Sequence, residues 1–248
     1  MPRRREIDVQ LRQDTILITG GTSGIGLEMA TQLAARGNTV IVTGRDERRL
    51  ADFRRTHPSL HAFTVEVTDL ASIEELHLQV TAAFPRLNVV INNAGLMQAI
   101  RFPEAAADHV ADEVGVNLAG PVMVTQVFLP HLLAQPEAAI LNVTSGIAYI
   151  PFDKAPLYSA SKLGLHSYTQ SLRAQLTGTS VKVFELAPPR TTKPMFSGSD
   201  ADNQQVDRIP MMPIAAVVTH MIRGVQRNRY EIRPGMSKLL RLIGKVRL

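Results

Sequence analysis

The sequence predicts an α/β fold, a doubly wound parallel sheet with helices on both faces, formed as a single domain over residues 1–248. Three observations predict it. Short, nearly continuous apolar runs alternate along the chain with segments of helical periodicity, the pattern of strands buried on both faces. The first apolar run stops at a glycine-rich turn, "TGGTSGIG", that leads directly into a helix. No internal repeat, low-complexity tract or linker interrupts the alternation, so one sheet accommodates all of it.

The elements follow in order. "DTILITGG" carries a β-branched run, Thr15 to Thr19, and "LEMATQLAARG" places Leu27, Ala30, Leu33 and Ala34 on one helical face before stopping at Gly37. "TVIVTGR" is a second strand, "DERRLADFRRTH" a helix, and "LHAFTVEV" a third strand. Asp69 and Ser72 are suited to start the helix "LASIEELHLQVTAAF". "LNVVINNAG" is a fourth strand running into a loop. A long helical stretch, about 104–134, precedes the strand "AAILNVTS"; the helix bearing "YSASKLGLHSYTQSLRAQL" and the strand "VKVFELAPP" continue the pattern. A segment at about 191–213 and a C-terminal helix at about 236–248 complete the chain.

Composition narrows the function. A chain of 248 residues with 45% hydrophobic residues builds a sizeable core unaided, and without cysteine it has no disulfide, thiolate metal site or cysteine nucleophile. The net charge of +5 is concentrated near Arg3–Arg5 and Arg241–Arg247. No aromatic-interleaved basic stripe or zinc-finger spacing accompanies it, so no nucleic-acid partner is expected. The N-terminus lacks the apolar core of a secretory signal, and no run of about 18 apolar residues marks a membrane span. A cytoplasmic protein is expected, with no metal.

The glycine turn carries the first functional signal. Gly20, Gly24 and Gly26 allow a tight strand-to-helix turn and close approach of a pyrophosphate to the backbone, while the helix N-terminus offers free amides. Thr22, Ser23 and Ile25 complete this loop as cofactor-binding candidates. At the tip of the second strand stands Arg45, followed by Asp46, which reads as the next helix's N-cap. An arginine there accommodates a 2′-phosphate, so NADP(H) is expected rather than NAD(H).

The second signal is "PLYSASKLGLHS". Tyr158 and Lys162 lie four residues apart, on one helix face, and a neighbouring ammonium favours the phenolate. A lowered tyrosine pKa suits an acid/base group working near neutrality. Taken alone, the pair reads as an ordinary surface contact on an amphipathic helix.

With "TGGTSGIG", "NNAG" at 92–95, Asn117 in "VGVNLAGP", Ser145 in "NVTSG" and "YSASK", the chain resembles the short-chain dehydrogenase/reductase family from Thr15 to Arg190. "GGTSGIG…GNTVIVTGR" and "APPRTT" further resemble the branch found in teichoic-acid D-alanylation operons. The resemblance implies a Rossmann-type fold and metal-free hydride transfer between a nicotinamide and a carbonyl or alcohol carbon. It implies Tyr158 as general acid/base, Lys162 as the group that lowers the tyrosine pKa and holds the nicotinamide ribose, and Ser145 as the donor polarising the substrate oxygen. Asn117 is implied to anchor a water that relays protons through Lys162. Asn92, Asn93, Ala94 and Gly95 are implied to line the cofactor cleft, with Asn92 and Gly95 nearest the adenosine.

Departures from the family pattern are visible. Glu66 in "VEVTD" replaces a shorter aspartate that meets the adenine, leaving Val67 to serve through its backbone. Pro188-Pro189 replaces the usual proline–glycine; Thr191 is expected to meet the carboxamide through its backbone, and Lys193 replaces a threonine for which Thr192 could substitute. Ile147, Tyr149, Phe152, Met195 and Phe196 are expected to line an apolar substrate pocket together with Ser145, covered by the polar "SGSDADNQQ" as a lid; Met211 and Met212 could equally be core filling.

The resemblance also implies a homodimer or homotetramer. Leu239, Leu242, Ile243 and Val246 form one stripe of the C-terminal helix, expected to pack on the domain or another subunit, the alternative being an acidic membrane surface. The alternative to an enzyme is a cofactor-sensing NADP(H)-binding regulator on the same fold.

Overall fold

A computed structural model describes residues 9–98, 107–191, 196–197 and 210–247. Seven parallel strands form its central sheet: β1 (Thr15–Ile18), β2 (Thr39–Gly44), β3 (His61–Thr64), β4 (Leu87–Asn92), β5 (Ala138–Val143), β6 (Val181–Leu186) and β7 (Glu231–Ile232), in spatial order 3-2-1-4-5-6-7. Every pairing is parallel, with Ile16 opposite Val40 and Val89, and Ile140 opposite Val90 and Val183.

The apolar strand runs reflect two cores. Ile16, Ile18, Val40, Val42, Val89 and Ile91 face the core built with helices α1 (Gly24–Ala34) and α2 (Glu47–Thr56). Leu17, Ile41, Val90 and Ile140 face the opposite core, made with α3 (Leu70–Ala83) and the helices that precede and follow β5. Alternate residues of each strand therefore serve opposite layers, and a polar substitution at any of them would bury an unpaired group.

The expected caps are present. The Asp46 carboxylate accepts from the Arg48 and Arg49 amides at 3.0 and 3.2 Å, and Asp69 accepts from Ala71 at 3.1 Å. Ser72 does not cap. It lies inside α3, where its hydroxyl accepts from the Glu66 amide at 3.0 Å.

The long helix is not uniform. α4 (Ala107–Val114) runs through a π-helical turn, Gly115–Ala119, into α5 (Gly120–Leu133). The span His109–Leu133 is long and apolar enough to cross a membrane by length and composition. Its apolar residues Val124, Phe128 and Leu132 are instead part of the second core, and Glu113, Asn117 and Thr125 are buried polar residues within it. α6 (Pro156–Gln175) carries Tyr158 and Lys162; α7 (Ile214–Gln226) packs beside α1, and α8 (Ser237–Arg247) lies on the 3₁₀ turn Gly146–Tyr149.

The sheet order reverses between β1 and β4, and binding crevices form outside the strand carboxyl ends at such a switch. Asn93 holds this edge together. Its side-chain amide donates to the Thr19 and Gly20 carbonyls, both at 3.0 Å, while the Thr19 hydroxyl accepts from the Asn93 and Ala94 amides.

Candidate active site

A cleft of about 530 Å³ runs along the carboxyl ends of β1 to β5, within the range usual for cofactor and ligand sites. The glycine turn forms its floor. Gly20 has φ +63°, and a Cβ there would lie 2.9 Å from the Ala94 Cα; a Cβ on Gly26 would run into the Gly20 carbonyl oxygen. Only glycine fits those two positions. At Gly24, by contrast, a Cβ would meet nothing within 4 Å, which leaves the approach to the start of α1 open. Ser23 makes no side-chain capping bond, so the first-turn amides of α1 stay available to an anion. A dinucleotide pyrophosphate fits this cradle.

Sixteen cofactor-binding positions expected from the sequence line the cleft: Gly20, Thr22, Ser23, Gly24, Ile25, Gly26, Arg45, Glu66, Val67, Asn93, Ala94, Gly95, Tyr158, Lys162, Pro188 and Thr191. Asn92 does not. Its side chain is buried on the other side of the strand end, donating to Asn142 at 2.8 Å and Thr125 at 3.1 Å, because consecutive strand residues face opposite layers. Glu66 uses Oε1 on the Thr68 amide and hydroxyl. Arg49, one turn after Arg45 on α2, also lines the rim. Sequence reasoning passed over it, although its spacing of four from Arg45 was the available signal.

At the other end of the cleft, Ser145 follows β5 and Tyr158 and Lys162 rise from α6. The Ser145 hydroxyl stands near enough to the tyrosine to oppose the rise of its pKa. Lys162 is almost wholly enclosed, its Nζ donating to the Val143 carbonyl at 3.0 Å and lying 5.9 Å from the Tyr158 ring centre. The electrostatics differ from the sequence expectation. Burial pushes the Tyr158 phenol up to about 12, with the Ser145 hydroxyl opposing and the charge of Glu113 adding to the rise. Burial also brings Lys162 down to about 8, opposed by Glu113. The expected phenolate-favouring effect of Lys162 is not among the causes acting on the phenol; desolvation dominates, and the chain holds Tyr158 protonated near neutrality.

Asn117 sits in the π-turn, where its amide closes a two-bond ring with the Leu96 peptide: Nδ2 donates to the carbonyl at 2.7 Å and Oδ1 accepts from the amide at 2.9 Å. This side chain fixes the loop after β4. Glu113, one turn earlier, was not singled out in the sequence; an acidic residue in a helix ordinarily marks a solvated face, and this one is fully buried.

The expected substrate pocket is only partly described. Tyr149 is a correction: it is buried away from the cleft, donating to Glu185 at 3.2 Å and packing edge-on to His166. An aromatic residue after a strand reads the same from sequence whether it lines a pocket or fills a core. Ile147 and Phe152 are half-buried and do not line the cleft. Met195, Thr192, Lys193 and the lid segment 198–205 lie outside the described residues; Phe196 and Ser197 are described only as backbone paired with Met97 and Gln98. Met212 packs against the first core and bridges to Thr191.

Known proteins resemble the chain in sequence and in fold. The family model for short chain dehydrogenases matches residues 14–204. The uncharacterized oxidoreductase DltE of Bacillus subtilis (strain 168) is 43% identical over 183 residues, 73% of each chain. Sulfoacetaldehyde reductase 2 of Chromohalobacter salexigens is 34% identical over 183 residues, 71% of each. Among solved structures, a short-chain dehydrogenase/reductase from Burkholderia phymatum in complex with NAD has a TM-score of 0.83 at 24% identity, covering 94% of both chains. One from Burkholderia cenocepacia in complex with NADP has a TM-score of 0.80 at 22% identity, covering 94% of this chain and 92% of that one. The family match takes in the glycine turn, the Ser145 strand end and the Tyr158 helix alike, and the chain belongs to the short-chain dehydrogenase/reductase family of oxidoreductases.

Proposed function

We propose that this chain is an NADP(H)-dependent oxidoreductase acting on the carbonyl or alcohol carbon of a small, fairly apolar substrate, with Tyr158 as general acid/base. The observation that carries the reading is the placement of Tyr158 and the enclosed Lys162 side by side in the lining of a dinucleotide-sized cleft, with the Ser145 hydroxyl acting on the phenol. When bound, the nicotinamide supplies or accepts the hydride.

The chain's residues do the rest. The α1 amides hold the pyrophosphate, and Arg45, with Arg49 beside it, meets a 2′-phosphate at the rim. Because Glu66 Oε1 is committed to Thr68, the adenine amino group falls to Oε2 or to the Val67 peptide. Ser145 donates to the substrate oxygen, stabilising the negative charge that develops there. Tyr158, protonated at neutral pH, transfers its hydroxyl proton to that oxygen as the carbon is reduced; in oxidation the same phenol must first lose its proton. Lys162 keeps the site positive and offers its remaining N–H groups to the cofactor ribose. A carbonyl substrate agrees with the aldehyde reductase among the relatives. Homo-oligomerisation through the helices bearing Asn117 and Tyr158 is part of the same reading.

Titration with NADPH and NADH, followed by nicotinamide fluorescence, tests the cofactor assignment, and carbonyl-dependent NADPH oxidation tests the chemistry. Tyr158→Phe removes only the transferable proton, so it should lower kcat by on the order of 10²–10⁴ while NADPH affinity is retained. Loss of NADPH binding in that variant would assign the tyrosine a different role. NADPH binding without turnover on any aldehyde or ketone would favour a cofactor sensor.

A further inference from the structure

Beside the Tyr158–Lys162 pair lies a carboxyl group that the chemistry above does not use. Glu113, on the last turn of α4, is fully buried where α4 packs on α6. Its Oε1 accepts one long bond, 3.4 Å, from the Gln98 amide, and among the described residues its Oε2 accepts none. A buried carboxyl so poorly satisfied is costly, and a leucine or glutamine would fill the same space at lower cost.

The ionisable groups that interact with it electrostatically are Lys162 and, through the rise Glu113 imposes on the phenol, Tyr158, both on α6. On its own helix His109 and Asp112 are exposed, the adjoining π-turn contributes the uncharged Asn117, and the strand segment after β4 contributes the Gln98 amide.

Resting on the proposed function, we infer that Glu113 is a positioning residue of the catalytic centre, whose carboxyl sets the charge state of the Tyr158–Lys162 pair. Burial pushes this carboxyl up to about 7, with the Gln98 amide and the Lys162 charge opposing. It therefore gains and loses its proton near neutrality. Deprotonated, it opposes the tyrosinate and supports the lysine ammonium, which keeps Tyr158 in its acid form to higher pH. Protonated, it leaves the pair without an anionic neighbour. The carboxyl acts on the reaction only through these two side chains.

Two measurements test this. In wild-type protein with ¹³C-labelled glutamate, one carboxyl absent from the Glu113→Gln spectrum should titrate near 7, and it should titrate higher in Lys162→Met, where the opposing positive charge is gone. This readout needs no turnover. In the pH profile of carbonyl reduction, Glu113→Gln should lose the inflection near 7, and its basic limb should move to lower pH, with kcat changed more than KM. A Glu113 carboxyl that titrates in the ordinary range, or whose midpoint ignores Lys162→Met, overturns the inference, as does an unchanged pH profile in an active variant. An inactive wild-type protein in which the carboxyl still titrates near 7 and still responds to Lys162→Met overturns the proposed function and leaves the coupling standing.

Discussion

Arg45 is exposed at the tip of β2, and the one carboxylate next to it, Asp46, accepts two amides of α2 while pairing with Arg49 at 3.3 Å. A ribose 2′-hydroxyl arriving here finds no uncommitted carboxylate, whereas a 2′-phosphate finds arginine. Arg45→Asp should therefore shift the NADPH-to-NADH affinity ratio by at least about tenfold, or roughly 1.4 kcal/mol, towards NADH. Fluorescence titration of both cofactors measures it, and an unchanged ratio would remove Arg45 from the specificity argument. This residue was legible in the sequence because the Asp46 cap is a local interaction, decided within three positions. Glu113 was not, because its burial depends on the packing of α4 against α6, elements separated in sequence by α5, β5 and the turn after it. Tyr149 failed for a similar reason: its partners, Glu185 on β6 and Arg233 just after β7, lie far along the chain.

At the scale of elements, the order of strands and helices was readable almost throughout, since each strand's apolar residues and each helix's cap are neighbours in sequence. The π-turn at Gly115–Ala119 was not, because the helical periodicity runs through it and only the Asn117–Leu96 ring shows why the helix widens there. The seat of α8 was equally hidden. Its apolar stripe was expected to pack on the domain or on another subunit, and within this chain Leu239, Leu242 and Ile243 are exposed. What the helix buries is the opposite side: Ser237 against Gly146, Gly244 against the Tyr149 carbonyl, and Arg241 over the Tyr149 ring at 5.0 Å. A Cβ on Gly244 would run into the Tyr149 carbonyl oxygen, a backbone atom that cannot rotate away. Gly244→Ala should thus lift α8 from the turn after Ser145 and cost about 1–3 kcal/mol. Urea unfolding measures the loss, and unchanged stability would mean that α8 is not held by this contact.

For the molecule as a whole, one buried charge ties the last layer to the sheet. Glu185, on β6, accepts from His166 Nδ1 of α6 at 2.8 Å, from the Thr144 hydroxyl at 2.6 Å and from the Tyr149 hydroxyl, which in turn accepts from Arg233 at 3.3 Å. Arg233 also pairs with Glu231 of β7. Burial alone would raise the Glu185 carboxyl, but the His166 hydrogen bond and charge, with the two hydroxyls, hold it below its ordinary value of 4.5. A carboxyl whose folded pKa is depressed stabilises the fold above its unfolded value, and that stabilisation is lost as pH falls through the folded pKa. Glu113, with its pKa raised, has the opposite sign: the stabilisation it gives is present below 4.5 and is lost as pH rises towards about 7. The two carboxyls therefore press stability from opposite sides of a window between them. Glu185→Gln should cost about 3–5 kcal/mol at neutral pH, because it leaves His166 without its anionic partner. The deficit should begin to shrink as pH drops below 4.5, where the unfolded carboxyl takes up its proton, and should reach its floor only below the lower folded pKa, where the folded carboxylate is protonated too. Urea unfolding of both proteins at neutral and acidic pH decides it: a deficit that stays constant with pH would show that the glutamate acts by shape and hydrogen bonding, and not by its charge.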